Sequence, residues 1–139
     1  MTQASSIQTR LRQAASLPEI LTAGFDAFEA IRVAARSYQD RVPALFAAFM
    51  TAADAAIDGR EALTAAPTLP PGGPGAGLAV PADGDTAQAA DCLAALAVTL
   101  GGRLTEAASL AETSADEQAC QDAAAAAGRI RQLMARANP

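Results

Sequence analysis

Residues 17–63 read LPEILTAGFDAFEAIRVAARSYQDRVPALFAAFMTAADAAIDGREAL, and this stretch decides the fold. All five aromatic residues of the chain lie in it: Phe25, Phe28, Tyr38, Phe46 and Phe49. At a repeat of seven, Leu21, Gly24, Phe28, Ile31, Ala35, Tyr38 and Val42 take alternating a and d positions, the pattern of a helix packed along a seam. Beyond Pro43 the spacing continues through Leu45, Phe49, Ala52, Ala56, Gly59 and Leu63. Two helical limbs therefore meet at the proline. Pro43 pushes Val42 out of the α region, and no Gly or Asn precedes it to cap a helix, so a bent continuous helix and a turn back are both open.

Ser16-Leu17-Pro18-Glu19 marks the start of the first limb: Ser16 can cap, Glu19 can reach back, and proline is tolerated in a first turn. Asp26, Glu29, Arg32, Arg36, Gln39 and Asp40 read as its solvated face, with Glu29–Arg32 and Arg36–Asp40 at spacings where side chains meet. In the second limb Leu45, Phe46, Phe49, Met50, Ala53 and Ile57 cover more than one seam, which predicts the most buried helix of the set. Upstream, Ser5 and Gln8 form a capping box before Ile7, Leu11, Ala14 and Ala15, a short first helix with a narrow apolar face.

Downstream, residues 65–84 hold Pro67, Pro70, Pro71, Pro74 and Pro81 among repeated glycines, so no helix or central strand runs through them. Pro67 to Pro70 and Pro71 to Pro74 match the P-x-x-P spacing of polyproline ligands. The flanking arginine of such ligands is missing, and a tether is the better reading. Twenty extended residues reach roughly 60–70 Å, enough for a hairpin or a crossover; Leu78 and Val80 are the apolar anchors within it. Asp85 to Gln88 caps a further helix carrying Ala89, Leu93, Leu96 and Leu100. Gly101-Gly102 marks close packing or a kink, after which Leu104, Ala107 and Ala111 resume with a four-residue slip. Ser114 and Glu117 make another capping box, followed by the seam Cys120, Ala123, Ala127, Ile130, Met134 and Ala137, with Arg129, Arg131 and Arg136 toward the end favoured by the helix dipole. The expectation is an all-α four-helix bundle of two helical pairs joined by a long Pro/Gly linker at 65–84, with a short extra N-terminal helix, one domain over residues 1–139.

Composition agrees and excludes much chemistry. Hydrophobic residues make up 51% but aromatics only 4%, so the core is built largely of alanine, the best helix former. The formal net charge of −5 argues against nucleic acid or an anionic membrane as partner, since both reward a basic surface. All ten basic residues are arginine, which with abundant Ala, Gly and Pro is the signature of GC-rich coding and suggests a bacterial source. Without lysine there is no Schiff-base chemistry and no phosphate-loop lysine. Without histidine, Glu-x-x-His di-iron sites, histidine phosphotransfer and C-x-x-C-H haem attachment all fail. The glycine pair follows no strand and is no nucleotide loop. No apolar run fits a signal peptide or the roughly 20 residues that span a bilayer, so cytoplasmic residence is expected. Cys92 and Cys120, about 21 and 7 residues from a turn near Thr113, sit too far apart along the axis to pair, and read as buried thiols.

No residue set qualifies as catalytic, cofactor-binding or metal-ligating, and no cofactor is expected. Acid–base work by carboxylates alone is all that survives, and the acids fall singly on polar faces. The expected function is a non-enzymatic protein–protein interaction, assembly or adaptor module that contacts a protein partner or itself. The alternative is a small-molecule-binding bundle with an apolar pocket walled by Phe25, Phe28, Phe46, Phe49 and Met50.

Overall fold

The computed structural model describes residues 3–70 and 85–137, and every regular element among them is helical. The helices are α1 (Gln3–Gln13), α2 (Leu17–Tyr38), α3 (Phe46–Thr64), α4 (Thr86–Leu110) and α5 (Ser114–Ala137), with a 3₁₀ turn at Pro43–Leu45. No described helix is long and apolar enough to cross a membrane. The Pro/Gly linker expected at 65–84 falls mostly on 71–84, outside the described residues.

Most starts are where the caps place them. Ser16 is extended (φ −127°, ψ 162°) and accepts from the Glu19 amide at 3.4 Å, while its hydroxyl donates to the Glu19 carboxylate at 3.0 Å. Asp85 accepts from the Gln88 amide at 2.8 Å. Two starts move. Helix α1 already runs through Ser5, so Ser5 is not its cap. At α5 the cap is Thr113, whose hydroxyl accepts from the Asp116 amide at 3.1 Å; the box is Thr-x-x-Asp, one residue before Ser-x-x-Glu, and it puts the Asp116 carboxylate at the third helical position.

At Pro43 the chain turns back. Val42 adopts the extended conformation that a following proline demands (φ −129°, ψ 111°), so it drops out of the α2 seam. The pairs along α2 and α3 are antiparallel: Glu29 with Arg60, Arg36 with Asp54 at 3.5 Å, and the Tyr38 ring on Phe49 at 6.0 Å between centroids. Helix α3 is not the most buried. It buries seven of its 19 residues against twelve of 22 in α2, because α2 is covered by α1, α3 and α4 whereas α3 lies against α2 and α5.

Around the bundle, α2 neighbours α3 and α4, α5 neighbours the same two, and α1 lies over the α2–α4 groove. The ion pair Asp58–Arg129 and the bond from Thr68 to Asp116 make α5 antiparallel to α3, and the short turn at 111–113 makes α4 antiparallel to α5. Hence α2 and α5 run one way, α3 and α4 the other. Helix α3 ends at the end of the bundle where α4 also ends, and the chain re-enters at the opposite end. Of the two connections open in the sequence, these end positions call for the crossover. The Gly101-Gly102 pair does not interrupt α4; a Cβ on Gly101 would rest 3.6 Å from that of Ala127 on α5, and one on Gly102 would meet nothing within 4 Å.

Candidate functional site

The five residues considered for an apolar pocket, Phe25, Phe28, Phe46, Phe49 and Met50, differ in burial. Phe28 and Phe49 are fully buried. The Phe28 ring occupies the space that Gly59 leaves free on α3, and Phe49 stacks on Tyr38 with an interplanar angle of 26°. Phe25 is half-buried and packs on the same core. Phe46 and Met50 are at the surface, 39% and 36% exposed. Two shallow grooves lie elsewhere. One, of about 360 Å³, runs between α4 and α5 past Thr105, Ser109, Glu117 and Gln121; the other, of about 330 Å³, runs between α1 and α2 past Arg10, Gln13, Glu19 and Thr22. Both linings mix polar and apolar groups, and neither includes any of the five.

Chemically competent groups are engaged in holding helices together. Asp26, expected on a solvated face, is 2% exposed and accepts from the Arg10 guanidinium at 3.0 Å, tying α1 to α2. Its position next to a docked α1 cannot be seen from the periodicity of α2 alone. Asp116 is equally buried and accepts from both the amide (3.0 Å) and the hydroxyl of Thr68. The Thr68 hydroxyl bond, joined by the Thr68 amide and the Thr113 hydroxyl, outweighs burial and holds this carboxyl below the usual aspartate range. Glu29 binds Arg32 at 2.9 and 3.0 Å and also Arg60, and the Arg32 bonds pull its pKa down. Both thiols are poor nucleophiles. Cys92 is half-buried, more open than expected, and burial raises its pKa; burial and then the nearby Asp116 carboxylate push Cys120 up to about 11. Among the described residues no group of three or more Cys, Asp or Glu is placed to hold a metal ion.

What stands out instead is a surface. Residues 42–53 read VPALFAAFMTAA, twelve residues without a charge. The turn at Pro43 places them at one end of the bundle with Pro43, Ala44, Phe46, Ala47 and Met50 exposed. Phe46 and Met50 are one helical turn apart and share a face of α3. Beside them the Arg41 guanidinium lies 4.3 Å above the Tyr38 ring centroid. Among the described residues the other exposed large apolar side chains, Val33, Val98 and Leu110, are isolated from this run in sequence and lie on α2 and α4.

Fold and surface thus define an all-helical bundle with Phe46 and Met50 exposed at one end. No family model, no curated protein and no solved structure matches the chain.

Proposed function

We propose that this chain is a protein-interaction or assembly module, working in the cytoplasm by docking and not by catalysis, with a protein rather than nucleic acid as its partner. The observation that carries this reading is the pair Phe46 and Met50, large apolar side chains held at the surface within the uncharged run 42–53. Large apolar side chains exposed together mark sites of association more often than isolated ones do, and aromatic residues and methionine are the types enriched at interfaces. The buried acids support it from the other side, since Asp26 and Asp116 already have their partners inside the bundle.

The test is position-specific photocrosslinking in the native cell. A photoreactive residue at position 46 should give a discrete adduct of higher mass, and the same residue at position 95, exposed in the middle of α4, should give none. Identical patterns at the two positions, or no adduct at 46, would end the docking reading.

A further inference from the structure

We infer that the groove between α2 and α4 is a receptor for a basic amphipathic helix of a partner protein, and that α1 is its resident, displaceable occupant. This surface is separate from the Phe46 end and goes beyond the docking proposed there. Helix α1 shows what the groove holds. Ile7, Leu11 and Ala14 are buried at i, i+4 and i+7, the anchor spacing of a helix laid in a groove. Around them α2 and α4 supply polar contacts. Asp26 of α2 accepts from the Arg10 guanidinium at 3.0 Å, and the Thr99 hydroxyl of α4 donates to the Gln8 side-chain oxygen at 2.9 Å. Arg103 of α4 donates to the Leu11 carbonyl at 2.9 Å and to that of Ala14. This last contact fixes the register, since the end of a helix is where its carbonyls lack partners.

Charge selects the partner. Residues 1–18 hold two arginines and no acid, whereas residues 19–139 hold eight arginines and fifteen acids. A basic helix is therefore drawn to this body, as α1 is. Nor does α1 fill its seat. A shallow groove of about 330 Å³ remains between α1 and α2, past Gln13, Glu19 and Thr22, and eleven residues are too few to hold a helix without the bundle. A partner helix with a leucine-sized side chain at the place of Gln13 covers Ala14 and Ala23 in the wall of that groove, which α1 leaves open. The α1 of a second copy lacks this advantage. It also competes with a tethered helix whose effective concentration is in the millimolar range, roughly.

Fluorescence anisotropy with a labelled peptide of residues 1–16 tests this on the full chain. Leu11→Asp in the chain loosens its own α1 and leaves α2 and α4 unaltered. The peptide should bind this variant saturably, and the parent at least about tenfold less tightly, because there the tethered α1 holds the groove. Arg10→Ala in the peptide should weaken binding about 10- to 100-fold, the range for a hydrogen bond to a charged group, and Gln13→Leu should tighten it. Phe46→Glu added to the variant chain should change nothing. Circular dichroism melting shows whether the variant is folded. If it is unfolded, amide exchange of the parent decides: α1 should exchange by local opening while α2 and α5 stay protected. The inference is overturned by the absence of saturable binding to a folded variant, by an Arg10→Ala peptide that binds as tightly as the unaltered one, by equal binding to parent and variant, by binding lost with Phe46→Glu, or by α1 amides that exchange only with the whole bundle. A parent that passes α1 between copies as a dimer of twice 14.0 kDa overturns another protein as the partner. None of these outcomes bears on the position-46 adduct, by which the docking reading stands or falls separately.

Discussion

At Gly59 the α3 backbone lies against the Phe28 ring, and an added Cβ would overlap three of its carbons. Replacing a helical glycine by alanine gains about 1 kcal/mol in propensity, while overpacking a filled core costs about 1–3 kcal/mol. Phe28 is fully buried and the added Cβ would lie within 2.8 Å of three of its ring carbons, so the cost wins at this position. Gly59→Ala should lower the urea midpoint. Gly102→Ala, which meets nothing within 4 Å, should raise it. Equal shifts would contradict this account of the core. Asp116 gives a prediction in pH. Its folded pKa is depressed, chiefly by Thr68, so its contribution is fully present above the ordinary aspartate value of about 3.9 and is lost as pH falls through the lower folded value. Asp116→Asn should cost about 1–3 kcal/mol near neutrality, and the gap from the parent should close in acid. A constant gap across that range would show that the carboxylate charge is not what matters. Nothing in the sequence marks this residue: it reads as a helix-dipole acid, and its partner is 48 residues away.

Helix α1 shows how an element too weak to stand alone is held. Eleven residues are below the length at which isolated helices form in water. Ile7 and Leu11 are buried against the bundle, and Arg103 of α4 closes the open end, donating to the Leu11 carbonyl at 2.9 Å, to the Ala14 carbonyl and to Glu106 at 2.6 Å. The guanidinium thus satisfies carbonyls that a helix terminus leaves without partners. Arg103→Ala should speed amide exchange in α1 while α3 and α5 keep their protection, with a global loss of about 1–3 kcal/mol. Arg103→Lys should restore little, since one ammonium cannot reproduce the fork. Uniform acceleration across all five helices would refute the local role. The existence and apolar face of α1 are legible in residues 7–14. Its clamp is not, because the arginine comes from a helix 90 residues later in the chain.

The arrangement of whole helices sets a length requirement on the chain. Residues 71–84 must join Pro70, near Asp116, to Asp85 at the far end of a bundle about 37 Å long. Fourteen residues reach roughly 50 Å when extended. Deleting Gly72 and Gly73 should therefore leave helicity and melting unchanged. Deleting ten residues from this segment leaves a reach of about 17 Å and should abolish the cooperative monomeric fold; retention of parental melting and mass would rule out the crossover. Much was determined by sequence alone. Alanine content, heptad spacing and the local signals at Ser16, Pro43 and Asp85 establish helices and most of their ends, because those signals act over a few residues. The uncharged run 42–53 is likewise plain in the sequence, but a heptad pattern reports only that a residue faces a neighbour, not which one. Tertiary structure alone decided that Pro43 is a turn, that Phe28 and Phe49 go inward while Phe46 and Met50 stay out, and that α3 ends and α4 begins at opposite ends of the bundle. Each of those outcomes depends on which helices lie side by side, and that choice is made by contacts between residues distant in the chain.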